Sequence, residues 1–342
     1  MVMKKKVLFL IDGLGSGGAQ KQLILIANSL NERGYKIYIK FYTNEFFFLN
    51  FLNNDIIYKK YKNKFSFFLS VLKFKLTTKV TTISFLDFPN LINFITGFLG
   101  KSILSERNGN PSRYKNFNIR TISARLSNNL VVNSYNTKNF LKNKKLNVIH
   151  NIYLSDNSNK SILFNYNKKF KIIILASIST IKQPFEFYRS LYKIKNKIQG
   201  DFEIDWYGDK KNERYFHQLR SYIKIHPLDF FKFHKAEYDI EKLIKNYGVG
   251  ILISKYEGSS NSVLDYISNN LLLGGIHGIG LEDYANPNFL FNDFSKKSLL
   301  TFFKNIKGLS QINYNNIIKD QNKKLIIHDK NKITDEWEKL ID

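Results

Sequence analysis

The chain has 342 residues, 53 Lys+Arg against 28 Asp+Glu, and no cysteine. That length suits two domains, a hydrophobic share of 43% excludes a disordered polycation, and the missing cysteines exclude disulfides, thiolate metal sites and a thiol nucleophile. The formal charge of +25 calls for a polyanionic partner, an anionic membrane surface or anionic small molecules.

Lys4-Lys5-Lys6 precedes the apolar run Val7–Ile11, which stops at Asp12. Such a run is too short for the h-region of a secretion signal, roughly 7–15 residues. No run reaches the roughly 18 apolar residues of a spanning helix; the nearest, Ile83–Gly100, is interrupted by Asp87, Pro89, Asn90 and Asn93. A cytoplasmic location is expected, free or peripheral at the inner face of the cell membrane.

Val7–Ile11 reads as a buried parallel strand. Gly13-Leu14-Gly15-Ser16-Gly17-Gly18 follows it, then a helical period over Ala19–Arg33 with Gly34 at the C-cap position, then strand Ile37–Tyr42. This is a βαβ unit. The next stretch, Phe46–Lys79, is rich in aromatics and holds Lys59, Lys60, Lys62, Lys64, Lys73, Lys75 and Lys79 against one acid, Asp55. It suits a surface helix on anionic lipid, at about 1 kcal/mol per lysine near the headgroups, or an ordinary lysine-rich face over a buried one. The whole first half is basic: residues 1–160 carry 25 Lys+Arg and 7 Asp+Glu, a balance of +18 against +7 for the rest.

Further strands are predicted at Thr81–Phe85, Ser102–Ser105, Leu130–Asn133 and Val148–His150. The polar Leu154–Lys169 reads as a linker. A second series then runs through strand Lys171–Ala176, helix Pro184–Ile198, strand Phe202–Tyr207, helix Lys211–Ile223, strand Phe230–His234, helix Ile240–Asn246, strand Val249–Ser254, helix Ser262–Asn269 and strand Leu271–Gly274. Two such series predict an α/β protein of two Rossmann-like doubly wound domains facing a central cleft. Their expected limits are 1–158 and 165–325, with a C-terminal helix over 329–342.

Gly13, Gly15 and Gly18 satisfy G-x-G-x-x-G between a strand and a helix, a loop that can cradle a diphosphate on backbone N–H groups. The dinucleotide version also needs an acid at the end of the second strand, and Ile37–Tyr42 has none. The second constellation follows strand Val249–Ser254: Glu257 in the loop, then Gly258, then the N-cap formers Ser259, Ser260 and Asn261, then Asp265 about a turn into the helix. Two carboxylates flanking a helix N-terminus can hold the sugars at either end of a diphosphate, with the helix dipole between them. The six histidines show no metal-ligand spacing.

Ser254-Lys255-Tyr256-Glu257-Gly258 and Leu264-Asp265-Tyr266 resemble the Ser-x-x-Glu-Gly…Leu-Glu-Ala signature of the family 4 retaining glycosyltransferases of GT-B fold, with Asp for the second Glu and Tyr for Ala. By that resemblance Glu257 would contact the donor hexose and Asp265 the ribose. Ser179-Thr180-Ile181-Lys182 stands in the place of the family's basic loop, so Lys182 would meet the donor diphosphate, while Ser177 stands where an Arg is usual. Tyr207-Gly208-Asp209 resembles the family's glycine turn, and Ile149-His150-Asn151 the usual end of its first domain. Ser105-Glu106-Arg107-Asn108 resembles an element of some polysaccharide members, implying that Glu106, Arg107 and Asn108 bind acceptor. Asp87 would take the place of a His that some members hold beside the donor sugar. Gly15, Gly17 and Gly18 would line the donor, as would the loop Gly274–Gly280, and Asp335–Leu340 with Trp337 resembles the family's C-terminal crossing helix.

What the resemblance implies is a metal-independent enzyme without cofactor. It would transfer a sugar from a nucleotide-diphosphate donor to a glycan acceptor, lipid-linked and of the polyprenyl-diphosphate kind, for polysaccharide, capsule or O-antigen synthesis. The Lys59–Lys79 region would meet an anionic membrane. Two alternatives stand beside it: a GT-B scaffold that binds nucleotide sugars without turnover, and a basic nucleic-acid binder. The last lacks a helix-turn-helix, zinc-finger or aromatic ribonucleoprotein motif, so no nucleic-acid partner is expected.

Overall fold

The structure is a computed structural model that describes residues 5–114, 119–141, 143, 145–153, 169–237 and 239–342. The chain divides into two compact units. Unit 1 is Met1–Ile152 with Ile327–Asp342, and unit 2 is Tyr153–Ile326. Of the segment read as a linker, residues 154–168 lie outside the described residues.

Unit 1 is built on seven strands: β1 (Lys6–Leu10), β2 (Lys36–Phe41), β3 (Ile57–Lys60), β4 (Thr81–Phe85), β5 (Ser102–Glu106), β6 (Leu130–Val132) and β7 (Leu146–Val148). They pair in the order β3-β2-β1-β4-β5-β6-β7, every pairing parallel. A parallel sheet carries helices on both faces, so its central strands are apolar on both sides. In β1, Val7 and Phe9 join the core under helix Gly18–Glu32, while Leu8 and Leu10 join the opposite core with Phe67 and Val71. Helix Lys330–Ile341 closes the first face. Its Trp337 is fully buried and stacks on Phe85, and its Thr334 hydroxyl meets Ser29 Oγ at 2.6 Å.

Unit 2 has six strands: β8 (Phe170–Leu175), β9 (Phe202–Tyr207), β10 (Phe231–His234), β11 (Val249–Leu252), β12 (Leu272–Ile276) and β13 (Leu290–Phe291). Their order is β10-β9-β8-β11-β12-β13, again parallel throughout. Both units are therefore doubly wound α/β sheets, as expected. The strand limits differ from the expected ones by a residue or two. The helix expected over Pro184–Ile198 divides into Pro184–Tyr192 and Lys195–Ile198, around the buried Ile194.

Candidate active site

Each sheet reverses its strand order once, between β1 and β4 and between β8 and β11. Chains leaving the two strands at a reversal go to opposite faces. The crevice left outside their carboxyl ends is where open α/β sheets bind ligands.

In unit 2 the two exits are stitched together. Lys255 N–H donates to Ile181 O at 2.8 Å, and Gln183 Nε2 donates to Ile253 O at 2.8 Å. Gln183 is buried with φ of 57°, a left-handed conformation that costs a non-glycine residue on the order of 1–3 kcal/mol. It turns the chain so that Pro184 can open the next helix at N1. This stitching sets Lys182 against Glu257: Nζ donates to Oε1, and the two side chains are only 23% and 13% exposed. A pair this sheltered attracts more strongly than a surface pair, and losing one partner strands the other.

Helix Asn261–Ser268 begins four residues beyond Glu257. Its N-cap is Ser260, whose hydroxyl makes no capping bond. The helix is pinned to β8 at two atoms: Ser262 Oγ donates to Leu175 O at 2.6 Å, and the Tyr266 hydroxyl accepts from Leu175 N–H at 2.6 Å. Burial pushes the Tyr266 hydroxyl far above the usual tyrosine range. The Tyr266 ring lies over Gly250 of β11, where an added Cβ would come within 2.3 Å of it. A tyrosine is accommodated here because the facing strand residue has no side chain. Asn261, Ser262 and Asp265 share the half-exposed side of this helix, opposite the buried Val263, Leu264, Tyr266 and Ile267. Ser177 is half-buried just past β8. At the β9 exit, Gly208 N–H donates to His234 O at 3.1 Å, and a Cβ there would stand 2.0 Å from Ala176 O. Gly208 thus lets the β8 and β9 exits touch backbone to backbone. In the loop after β12, Gly278 N–H donates to the Glu282 carboxylate.

Unit 1 fills its reversal differently. The glycine loop runs beside a later segment: Leu14 N–H donates to Glu45 O at 2.9 Å, Thr43 N–H to Asp12 O at 2.8 Å, and Phe48 N–H to Leu14 O at 2.9 Å. A Cβ on Gly15 would lie 2.6 Å from Glu45 Oε2. The close approach that the glycines permit is used by the chain's own carboxylate. Gly17 caps helix Gly18–Glu32 without a side-chain bond. Asp12, at the β1 exit, accepts from the Tyr42 hydroxyl. Burial raises the Asp12 carboxyl above its ordinary range; the Tyr42 bond opposes this and the Asp87 charge adds to it. Asp87 opens helix Asp87–Ile95 at the β4 exit, directly after Leu86, whose φ is 72°.

The three expected acceptor residues leave β5 in different surroundings. Glu106 is 3% exposed, and its carboxylate takes Asn90 Nδ2 and the Tyr114 hydroxyl. Arg107 donates from Nε to Ser105 Oγ at 2.7 Å and from Nη1 to Asn151 Oδ1 at 2.8 Å, over the rings of Phe85 and Trp337. Its Nη2 is buried without a partner, and burial pushes the guanidinium down to about 9. Asn108 Oδ1 accepts from Asn110 N–H and shapes the turn.

The structure therefore gathers Lys182, Glu257 and Gly258 with Ser259–Asn261 at one reversal, and Gly15–Gly18 with Asp87 at the other. Sequence reasoning missed Asp12, Glu45, Gln183 and Ser262. Asp12 had a visible signal, as the first polar residue after an apolar strand. Glu45 and Gln183 had none, because their places depend on segments distant in sequence. Among the described residues no group of three or more His, Cys, Asp or Glu side chains is placed to hold a metal ion.

No family model and no curated protein sequence matches the chain. Solved structures do. Anabaena HepE, in complex with UDP and glucose, superposes with a TM-score of 0.82 at 14% identity, over 98% of this chain and 99% of that one. A glycosyltransferase from Rickettsia africae gives 0.72 at 17% identity, over 99% and 98%. A mutant of S. aureus TarM, in complex with fondaparinux, α-GlcNAc-glycerol and UDP, gives 0.74 at 8% identity, over 99% and 100%. At these identities the likeness establishes the fold, which is GT-B.

Proposed function

We propose that the chain is a retaining glycosyltransferase that moves a sugar from a nucleotide-diphosphate donor to a lipid-linked glycan acceptor, in the synthesis of a cell-surface polysaccharide. The observation that carries this reading is the sheltered Lys182–Glu257 pair at the strand reversal of unit 2, beside the start of helix Asn261–Ser268. The GT-B fold supports it, as do the UDP and UDP-glucose complexes of HepE.

In the proposed reaction the bond from sugar C1 to the diphosphate breaks. A bond from C1 to the acceptor oxygen forms on the same face, and the acceptor proton passes to the departing phosphate oxygen. No protein nucleophile is needed. What the protein must supply is positive potential where charge develops on the leaving group. Lys182 and the helix start supply it. In the free protein Lys182 is neutralised by Glu257, so donor binding exchanges partners. Lys182 turns to the diphosphate, Glu257 is released to the hexose hydroxyls, and Asp265 takes the ribose. Asp87 would serve the donor sugar from unit 1. Arg107, with an unsatisfied buried N–H, is the strongest of the three acceptor candidates. No metal or cofactor enters this scheme, and the enzyme would work at the inner face of the cell membrane.

Ser177 favours one second reading, because a cation fewer around the diphosphate suits a scaffold that binds without turnover. A thermal-shift screen over nucleotide sugars, followed by a turnover assay on each binder, separates the two. A donor present at 100 times its dissociation constant adds about 2.7 kcal/mol of stability. Stabilisation with transfer supports the enzyme, stabilisation without transfer supports the scaffold, and no stabilisation by any nucleotide sugar overturns both.

A further inference from the structure

Helix Lys64–Thr77 of unit 1 has two apolar faces. The inner one is ordinary. Phe67 and Val71 are fully buried, and Phe74 meets Tyr38 edge-on with centroids 5.0 Å apart. The outer one consists of Phe65, Leu69, Leu72 and Leu76, at intervals of four, three and four, which places them in a stripe about 60° wide. Phe65 is 70% exposed and Leu76 64% exposed, with Leu69 also open to solvent and Leu72 half-buried. The pole of a surface helix normally carries polar or charged residues. Helix Lys296–Lys307 shows the normal case: it buries Leu299, Phe302, Phe303 and Ile306 and turns Lys297, Thr301 and Lys304 outward.

The turn Gly97–Leu99 stands beside this helix. Lys75, inside the helix, donates to Thr96 Oγ1 at 3.2 Å and to Ser102 Oγ at 3.0 Å, so this turn adjoins the helix. Its Phe98 is 80% exposed. Around the stripe stand exposed lysines: Lys62 and Lys64 at the helix start, Lys73 on its flank and Lys79 just beyond its end. The edge strand β3 adds exposed Lys59, in register with Lys40 on the side of the sheet that this helix covers. No acid occurs in the chain between Asp55 and Asp87. The face is also preformed. Asn63 and Ser66 make a reciprocal capping box, and Lys40 Nζ reaches across to Ser70 O at 2.7 Å.

We propose that this face docks unit 1 on an anionic bilayer, with Phe65, Leu69, Leu76 and Phe98 entering the acyl boundary. The lysines surround the apolar stripe and do not interrupt it. The stripe can therefore sink while the ammonium groups stay at the level of the lipid phosphates, as snorkelling side chains do. A second copy of the chain fits worse, because two such faces would set lysine against lysine. The inference rests on the transferase reading only for its purpose, as the place where a lipid-linked acceptor is met.

The test is co-sedimentation of the full chain with vesicles, without donor or acceptor, so that docking and transfer can fail separately. Vesicles with equal parts phosphatidylcholine and phosphatidylglycerol should bind, with affinity at least about tenfold above phosphatidylcholine alone and falling with added salt. The triple variant Phe65→Ser, Leu69→Ser, Leu76→Ser should lose at least about tenfold while its melting temperature holds, since the residues removed are largely exposed. Lys62→Gln with Lys73→Gln should weaken binding, whereas Lys297→Gln with Lys304→Gln should not. Undiminished vesicle binding by the triple variant overturns the proposal. So does equal binding to uncharged vesicles, or a dimer in solution that the triple variant dissociates.

Discussion

The two strand reversals share one topology and differ in electrical character. At the reversal of unit 2, a lysine, a carboxylate and a helix start come together. At the reversal of unit 1, burial raises Asp12 above its ordinary range, and the charges of Asp87 and Glu45 add to the rise. Yet unit 1 contains most of the half of the chain with a balance of +18. Net charge is a property of the surface as a whole, and it did not indicate the sign of the field where the strands end. In the proposed reaction the diphosphate sits at the reversal of unit 2, and the basic surface of unit 1 faces a different anion, the bilayer.

The largest expected effect is at Glu257. Glu257→Ala should lower transfer at least tenfold, toward the roughly hundred- to thousandfold that one lost transition-state contact costs. The circular dichroism spectrum should be unchanged. Glu257→Gln sharpens the point, because it releases Lys182 from its partner. Turnover should fall while the affinity for the bare nucleoside diphosphate holds or rises. Full turnover in both variants would move the chemistry away from the reversal of unit 2.

Next comes the backbone that shapes that reversal. Gly208→Ala sets a Cβ 2.0 Å from Ala176 O, a backbone atom that can retreat only by separating the exits of β8 and β9. A loss of about 3 kcal/mol in unfolding free energy is expected, read from urea denaturation. A neutral result would mean that these exits are looser than the contact implies.

Acid should act chiefly on unit 1. His328 is fully buried beside His150, donates from Nδ1 to Asn151 O at 2.8 Å, and is pushed down to about 4 by burial. Unfolded, it titrates near 6.5, so the unfolded chain takes the proton first. Its contribution is whole above pH 6.5, is lost as the pH falls toward 4, and reaches about 3 kcal/mol at most. Stability measured between pH 7.5 and pH 4 should fall less steeply in His328→Gln. An identical slope would leave the acid loss to other groups.

These sites differ in how legible they were. Glu257, Lys182 and their loops could be read because each sits a few residues past an apolar run, and local order alone brings them to a strand exit. β3 could not be read. All four of its residues are exposed, so an edge strand left no hydrophobic alternation. The region Ile83–Gly100 was read as too interrupted to span a membrane, and no helix among the described residues could span one, but two of its interruptions, Asn90 and Asn93, lie inside. Asn93 Nδ2 donates to Ser84 Oγ, Thr82 O and Ile103 O, and Asn90 accepts at Oδ1 from Ser84 Oγ. These bonds fasten helix Asp87–Ile95 to β4 and β5. Polar residues satisfied across a sheet look, in sequence, like residues that break it. The sign of the field at the unit 1 reversal was hidden because Glu45 reaches Gly15 from a segment thirty positions on.

The smallest effect tests whether the reversal of unit 1 takes any part. Leu86 holds φ of 72° and delivers Asp87 to the β4 exit. Leu86→Gly would release strain on the order of 1–3 kcal/mol. It would also lose the packing of a half-buried leucine and free the unfolded backbone, about 0.5–1 kcal/mol for the backbone alone. These contributions nearly cancel, so the melting temperature should stay within a few degrees. A residue kept in a strained conformation at no gain in stability is held for its position. If that position serves the donor sugar, Leu86→Gly should lower kcat several-fold with little change in KM, and Asp87→Asn should do the same without touching the backbone. If both variants turn over normally, the acids of unit 1 are bystanders, and the contrast between the reversals becomes one between a site and a scaffold.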